Sequence, residues 1–287
     1  MISRTIQRAT PSTIILACGL GAAALGGLYL ALARAPSTYL LVNGGAGLLG
    51  GLLVLASRAP ILRKTGFDTA VWGIVSAVVL LLTALFGTDI ESARRWLAIG
   101  PLQIQPGLIV VPAIALMLAR KSTLPMGLSI GLISLALALQ PDRAIAGALA
   151  AGLFGLLVWR RDAVTIFSAL FASLAFVGTL IRPDELPAVT HVEGVYQAAF
   201  ESGGVASLIV VLGTIVLVAP AGLALSARRD LKPAGTVFGL TWLSLIIAAL
   251  VGNYPTPLLG YGSSSIVGYL LCAIAFQPTY PKTDSVS

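Results

Sequence analysis

The sequence predicts an all-α, polytopic membrane protein with about ten transmembrane helices and both termini in the cytoplasm. Three observations lead to this prediction. The 287 residues are 57% hydrophobic and only 10% charged, with a mean hydropathy of +0.96. The apolar runs are long and continuous, whereas the strands of a membrane β-barrel alternate between apolar and polar residues. The Lys and Arg residues concentrate in alternate gaps between the runs, as the positive-inside rule describes.

Ten apolar runs approach the roughly 20 residues that a membrane-spanning helix needs. They cover about 12–33, 37–56, 69–87, 104–119, 123–139, 143–159, 163–181, 192–225, 234–252 and 261–277. The eighth run is too long for one helix perpendicular to the membrane, so we expect it to tilt or to begin above the bilayer. The runs use most of the chain, so residues 1–287 are predicted to form a single transmembrane domain.

The basic residues predict the orientation. With the N-terminus inside, 13 of the 18 Lys and Arg residues lie on the cytoplasmic side. The other five are Arg34, Arg94, Arg95, Arg143 and Arg182. The main outer loops are then residues 88–103, 140–143, 182–192 and 252–262. Because the net charge of +7 is scattered between apolar runs, it is a topology signal, and membrane lipids, not nucleic acid, are the expected surroundings.

The first polar island, residues 87–106, has the sequence GTDIESARRWLAIGPLQIQP. It places Arg94, Arg95 and Trp96 together on the side of the membrane where arginine is expected to be scarce. Membrane topology does not explain this pair of arginines, so a counter-charge is expected. The second island is the tripeptide Gln140-Pro141-Asp142, in which proline stops one helix and Asp142 can cap the next. By itself it is explained as a capped helical hairpin.

The third island, residues 182–201, contains the only histidine, His191. A lone histidine beside a membrane helix is commonly an interfacial hydrogen-bonding group. Glu193 and Gln197 are four residues apart and would share a helix face, with Glu201 on roughly the same side. Ionisable groups at membrane depth are costly, so these should face the protein interior or a wet cavity. Glu201 is either a functional or a structural polar group.

The fourth island, residues 252–265, has the turn-forming sequence GNYPTPLLGYGSSS.

The four islands resemble motifs of the SEDS family (FtsW, RodA and SpoVE), the membrane polymerases of peptidoglycan. The first is similar to the second extracytoplasmic loop of the family, and Q-P-D occurs at the same place in its order of spans. The third resembles the pattern H-T-D-F-I-F-A-x-x-x-E-x-x-G from His191 onward. The fourth resembles G-x-P-L-P-F-x-S-Y-G-G-S-S. Its matching residues are Pro255, Pro257, Leu258, Tyr261, Gly262, Ser264 and Ser265.

The resemblance implies a glycosyltransferase that polymerises lipid II at the outer face of the bacterial inner membrane, with a class B penicillin-binding protein as partner. Glu193 stands at the position of the family's catalytic aspartate and would be the general base. Arg94 and Arg95 would form an electrostatic clamp on the pyrophosphate, or one of them would pair with Asp89, Glu91 or Asp142. The other expected substrate contacts are Trp96, Gln105, Asp142, His191, Gln197, Glu201, Tyr261, Ser264 and Ser265.

Three departures from the family pattern keep other functions open. Glu193 is one methylene longer than aspartate, the family's Q-P-S-E-x-x-K is Q-P-G-L-I-V-V at 105–111, and the loop before His191 is short. A non-catalytic SEDS-like scaffold or regulator of cell-wall synthesis is the second hypothesis. A lipid or small-solute transporter is the third. The chain has no Cys/His metal-ligand spacing, and the cofactor is left open, with a divalent cation at the pyrophosphate as one candidate.

Overall fold

The computed structural model describes residues 10–59, 68–91, 93–182, 187–226 and 229–277. These residues form eleven α-helices and one three-stranded sheet. The elements are α1 (Pro11–Leu32), α2 (Ser37–Ser57), α3 (Thr69–Phe86), β1 (Thr88–Ile90), β2 (Ala93–Ile99), β3 (Leu102–Ile104), α4 (Pro106–Arg120), α5 (Leu124–Leu139), α6 (Arg143–Leu156), α7 (Ala163–Leu180), α8 (Val195–Ser202), α9 (Gly204–Ser226), α10 (Lys232–Val251) and α11 (Ser263–Ala275). A short 3₁₀ turn (Arg229–Leu231) precedes α10.

Each of the ten predicted apolar runs is helical over most of its length, and the chain is a multi-pass membrane protein. Within the described residues, six helical segments are long and apolar enough to cross a membrane: α1, α2, α3, α7, α9 and α10 with its preceding turn. The helices α4, α5, α6 and α11 are also apolar but are shorter, with 13 to 16 residues. Ten crossings therefore stay a prediction. The termini, residues 1–9 and 278–287, lie outside the described residues, and their cytoplasmic location also stays a prediction.

The eighth run is divided into two helices. Gly203 has φ 103°, a value that residues with a side chain rarely adopt, and it separates α8 from α9. The 23 residues of α9 are long enough to cross a membrane, and the eight residues of α8 precede it as a separate segment. The excess length of the run is therefore taken up by a break in the helix and not by one long tilted helix.

The all-α prediction is wrong for the loop of residues 88–103. Here β2 pairs antiparallel with β1, through Ile90 and Ala93, and with β3, through Ala98 and Gln103. Gly100 turns the chain between β2 and β3 with φ 58°. Successive side chains of a strand point to opposite faces. At the start of β2, Ala93 and Arg95 are therefore buried, while Arg94 between them is exposed.

Predicted cytoplasmic segments meet at one end of the helix assembly. The Arg58 guanidinium donates from Nη2 to the Ser12 hydroxyl over 3.3 Å, which joins the end of α2 to the start of α1. Arg120, at the end of α4, donates from Nη1 to the carbonyl oxygen of Ala275 over 2.8 Å, at the end of α11. These contacts agree with helices that alternate in direction. Which side of a membrane this end faces stays a prediction.

One buried apolar cluster includes residues from all eleven α-helices, and glycines allow the closest approaches within it. The helices α4 and α11 touch where Gly268 faces the Leu108 carbonyl oxygen, and a Cβ at position 268 would overlap that oxygen. Small residues at such crossings are common in membrane proteins, because backbones can then pack closely without a hydrophobic driving force. This contact brings the first outer loop, which leads into α4, close to the fourth, which leads into α11.

We expect Gly268→Ala to lower the stability by about 1–3 kcal/mol, because the added methyl group must displace the α4 backbone. Gly45→Ala is the matched control, since Gly45 lies in α2 and a methyl group added there would have no neighbouring atom within 4 Å. Thermal unfolding of the two purified variants in the same detergent measures the difference. Equal melting temperatures for the two variants would show that the α4–α11 contact has room to relax.

Candidate functional site

Loops that the sequence predicts to lie outside the membrane meet in a buried group of polar side chains at the other end of the assembly. The Gln105 side chain donates from Nε2 to Oδ2 of Asp142 over 2.8 Å. The Gln105 backbone N–H donates to the Ser264 hydroxyl over 2.9 Å. All three residues are buried, with Asp142 only 1% exposed. Gln105 therefore connects the first, second and fourth polar islands, which are far apart in the sequence.

Asp142 also organises the start of α6. Its Oδ1 accepts the backbone N–H of Ile145 over 3.2 Å, which confirms the predicted helix cap. The neighbouring Gln140 is fully buried and donates from Nε2 to the Leu80 carbonyl oxygen of α3 over 2.8 Å. The Gln140-Pro141-Asp142 turn is thus attached to α3 and α6 as well as to Gln105.

The two adjacent arginines have different surroundings. Arg95 is 2% exposed, and its guanidinium donates from Nη2 to the Pro141 carbonyl oxygen over 2.6 Å and from Nε to that of Gln140 over 3.4 Å. Arg94 points to the opposite face of β2, where its Nε lies 3.1 Å from Oδ2 of Asp89 in a half-exposed ion pair. Of the expected carboxylate partners, Asp89 therefore pairs with Arg94, while Arg95 holds the second island.

A small pocket connects Arg95 to Glu193. Side chains from the first island line one part of it, namely Arg95, Trp96 and Gln105, and Glu193 lines another. Residues Asn253, Tyr254 and Pro255 of the fourth island also contribute to its wall. Its volume is about 20 Å³, which is room for about one water molecule. The structure therefore brings the predicted base and one of the two predicted arginines to a common cavity.

A much larger cavity, which we call the outer groove, lies on another side of Glu193. It has a volume of about 740 Å³, which is in the range of sites for small-molecule ligands. Its lining comes from the C-terminal end of α1, residues 188–191, Glu193, Gly194, α8 and the first residues of α9, and it is mostly apolar. The lining residues include Tyr29, Leu32, Val189, His191, Glu193, Val195, Ala198, Val205 and Ala206. Glu193 is common to both cavities.

Glu193 lies in a non-helical segment, residues 187–194, which we call the Glu193 loop. Burial raises the pKa of the Glu193 carboxyl group, although the hydrogen bond that Oε2 accepts from the Val189 N–H over 2.7 Å acts in the other direction. The loop contains two residues with left-handed backbone conformations, His191 with φ 67° and Gly194 with φ 68°. A partly buried carboxylate with a raised pKa beside two cavities is a suitable general base.

Seven predicted site residues line neither cavity, namely Arg94, Asp142, Gln197, Glu201, Tyr261, Ser264 and Ser265. The expected helix face with Glu193, Gln197 and Glu201 does not form, because Gly194 is the N-cap of α8 and Glu193 precedes the helix. Gln197 is exposed and donates from Nε2 to the Leu250 carbonyl oxygen over 3.1 Å. Glu201 is exposed too. Neither residue lines the small pocket or the outer groove, and Arg94 lines neither.

The predicted residues of the fourth island have structural contacts. The Ser265 hydroxyl accepts the Leu258 N–H over 3.2 Å and donates to the Gly262 carbonyl oxygen over 3.1 Å. Ser264 accepts the Gln105 N–H described above. The Tyr261 ring stacks on a residue that the motifs do not include, Tyr39 of α2, with 3.7 Å between ring centroids.

A second residue of α2, Asn43, also lies outside the predicted site. It is buried, with 4% exposure, and it bonds to the backbone of Gly260 and Gly262. The sequence offered one signal for Asn43, which is the single amide side chain in the run 37–56. A buried polar group in such a run needs a hydrogen-bond partner, so it could have been recognised as a contact residue. Tyr39 gave only the weaker signal of an aromatic residue near a helix end.

The described part of the chain contains no group of three or more His, Cys, Asp and Glu side chains that could hold a metal ion. The candidate divalent cation at the pyrophosphate therefore has no such ligand group among the described residues. What the site does offer is a carboxylate, a buried guanidinium and an apolar groove, which together suit a substrate with a charged head and a long apolar portion.

Comparison with known proteins begins with sequence. No family model matches the chain. A protein of Aromatoleum aromaticum described as a probable peptidoglycan glycosyltransferase FtsW is 30% identical to it over 128 residues. This match covers 39% of the chain and 31% of the relative, so the chain matches about a third of the length of that curated protein.

The solved structures that resemble the chain match it over most of its length. The rod shape determining protein RodA of Thermus thermophilus and a mutant of it have TM-scores of 0.67 and 0.69, with 21% and 22% identity. Both alignments cover 93% of this chain and 97% of the other. A chain from a structure of a peptidoglycan synthase complex has a TM-score of 0.61 and 21% identity, covering 91% and 95%. The chain therefore has the fold of RodA, and part of its sequence is similar to that of an FtsW protein.

Proposed function

We propose that the chain is a peptidoglycan glycosyltransferase that polymerises lipid II at the outer face of a bacterial inner membrane, in cell division or cell-shape control. The observation that carries the proposal is the position of Glu193, which lines both the outer groove and the small pocket that contains Arg95. The fold of RodA and the partial match to an FtsW protein support the same function.

In the proposed reaction, a sugar hydroxyl of one lipid II molecule attacks the anomeric carbon of another. The new glycosidic bond forms as the bond from that carbon to the pyrophosphate oxygen breaks, and polyprenyl pyrophosphate leaves with the bonding electrons. The Glu193 carboxylate accepts the proton of the attacking hydroxyl. Because burial raises the pKa of Glu193, its carboxylate is a stronger base than that of an exposed glutamate.

The outer groove and the arginines have separate parts in this proposal. The mostly apolar lining of the groove suits the polyprenyl portion of the substrate, which gains free energy by leaving water. Arg95 supplies a fixed positive charge in the wall of the small pocket. Because that pocket has room for only about one water molecule, this charge would act from a distance on a pyrophosphate bound in the larger groove beside Glu193. Arg94 is at the exposed rim and is already paired with Asp89, so its contribution is smaller.

A class B penicillin-binding protein is the proposed partner. Such a protein carries transpeptidase activity, which would crosslink the glycan strands that this chain makes. Support comes from the resemblance to a chain of a peptidoglycan synthase complex that is described as coordinating polymerisation with crosslinking.

A non-catalytic scaffold is the second candidate, and one observation favours it. The Glu193 carboxylate accepts a hydrogen bond from the N–H of Val189 within its own loop, which is a structural contact that needs no substrate. With one methylene more than aspartate, Glu193 can reach back to this N–H. In a scaffold, the hydrogen bond and not the negative charge would be the property that matters.

We expect Glu193→Gln to reduce lipid II polymerisation by about 100-fold or more, because it removes the general base. Glutamine retains an oxygen that can accept the Val189 N–H, so the loop contact is kept while the base is lost. Glu91→Gln is the matched control, since Glu91 is an exposed outer-loop glutamate that lines neither cavity. Both variants are assayed as purified protein with the partner transpeptidase. Polymerisation by Glu193→Gln within a few-fold of the original chain would favour the scaffold.

The pH dependence follows from the raised pKa of Glu193. The carboxylate must be ionised to accept a proton, so polymerisation should fall as the pH drops through a value above the ordinary 4.5 of glutamate. Stability changes in the opposite sense, because the fold favours the protonated form of Glu193. The contribution of Glu193 to stability is full below 4.5 and is lost as the pH rises through the raised pKa. Initial rates measured across the acid range test the first expectation. An acid limb at or below 4.5 would contradict the assignment of Glu193 as the base.

Replacing the two arginines by lysine should separate their roles. Lysine cannot donate to the Gln140 and Pro141 carbonyl oxygens in the geometry of a guanidinium, so Arg95→Lys should lower stability by about 1.5–3 kcal/mol and reduce polymerisation. Arg94→Lys keeps a charge beside Asp89 in an exposed ion pair, and its effect should stay below about 1 kcal/mol. Unfolding in one detergent compares the variants, and equal losses would show that burial does not distinguish the arginines.

A further inference from the structure

The Glu193 loop is held by the fourth island and not by regular secondary structure. The Val192 carbonyl oxygen accepts the N–H of Thr256 over 2.9 Å, and the His191 carbonyl oxygen accepts the N–H of Tyr261 over 2.6 Å. These two backbone hydrogen bonds lie immediately before the residue that we propose as the base. The segment that donates them, residues 256–262, is called the Gly260 turn below.

The Gly260 turn is itself non-helical, and one side chain of α2 forms hydrogen bonds with it. Asn43 donates from Nδ2 to the Gly260 carbonyl oxygen over 3.0 Å and accepts the Gly262 N–H at Oδ1 over 3.1 Å. A single buried amide therefore satisfies one acceptor and one donor of the turn, as a neighbouring peptide group would in a sheet. Loss of either bond would leave a buried polar group without its partner, which is more costly than the bond itself is favourable.

Tyr39 lies one helical turn before Asn43, on the same face of α2. Its ring stacks on that of Tyr261, with centroids 3.7 Å apart and planes at 11°. It also meets the His191 ring edge-on, with centroids 6.4 Å apart and planes at 82°. Tyr39 thus contacts both the Gly260 turn and the Glu193 loop.

The two segments leave little room for relative movement. A Cβ at Gly260 would lie 2.9 Å from the Val192 carbonyl oxygen and 3.0 Å from that of His191, tighter than almost all real contacts of a Cβ. A shift of the turn would therefore shift the loop. A displacement of about 1 Å at a catalytic group can reduce its rate by about 100-fold.

We infer that Tyr39 and Asn43 are positioning residues, which hold Glu193 in its catalytic place by fixing the Gly260 turn to α2. The inference rests on the proposed function for its effect on catalysis. Its structural part, that α2 holds the Glu193 loop, is measurable without any assay of lipid II.

The test combines hydrogen exchange of the full chain in detergent with polymerisation kinetics. We expect Tyr39→Ala and Asn43→Asp to raise amide exchange in residues 187–194 and 256–262 by about 10-fold, because each removes a contact that holds these segments. Helices at the opposite end of the assembly should exchange as before. In the polymerisation assay, kcat should fall by about 10-fold or more, with a smaller change in KM.

Two further variants serve as controls. Tyr39→Phe keeps the stacked ring and should restore both the exchange pattern and kcat. Leu41→Ala changes a side chain of α2 that is 74% exposed and should affect neither. If Asn43→Asp does not fold, the comparison of Tyr39→Ala with Tyr39→Phe decides by itself.

Two outcomes would overturn the inference. Unchanged exchange in the Glu193 loop of Tyr39→Ala and Asn43→Asp would show that α2 does not hold it. An equal rise of exchange along the whole chain would show that these residues support the fold in general. If the original chain does not polymerise lipid II, the proposed function fails, while the exchange pattern still decides whether Tyr39 and Asn43 fix the loop.

Discussion

The end of this protein that carries the candidate site depends on the hydrogen bond between Gln105 and Asp142. A buried carboxylate is stable only when hydrogen bonds or opposite charges replace the water it has lost. Asp142 is 1% exposed, and it caps α6 while it accepts the Gln105 amide. Because the backbone of Gln105 also donates to Ser264, the first, second and fourth outer loops are joined at one residue. The need to supply hydrogen bonds to one buried carboxyl group thus explains why these loops lie together.

Strand geometry gives the two neighbouring arginines different roles. Their side chains leave β2 on opposite faces, so Arg95 enters the interior and Arg94 reaches the rim. The buried guanidinium donates to the carbonyl oxygens of Gln140 and Pro141, in the turn between α5 and α6. The same residue lines the small pocket beside Glu193. One arginine can therefore stabilise the fold and contribute positive charge to the proposed site.

Glu193 illustrates how a short loop can be placed accurately. The loop before it is shorter than the corresponding loop of the SEDS family, which its motifs resemble. Its backbone forms hydrogen bonds with Thr256 and Tyr261, and Tyr39 and Asn43 connect this region to α2. The proposed base therefore depends on residues that are distant from it in the sequence on either side. Such contacts keep a carboxylate partly buried at the edge of an apolar groove, where its pKa is raised.

The ten apolar runs, the Asp142 cap and the four polar islands were evident in the sequence, because hydropathy and helix caps are local properties of the chain. The sequence did not reveal the sheet at residues 88–104 or the break at Gly203. It also assigned Glu193 to a helix face that does not form. Burial of Arg95, its shared pocket with Glu193, and the contacts of Tyr39 and Asn43 were decided only by the tertiary structure, because each depends on residues that are distant in sequence and adjacent only after the helices have packed.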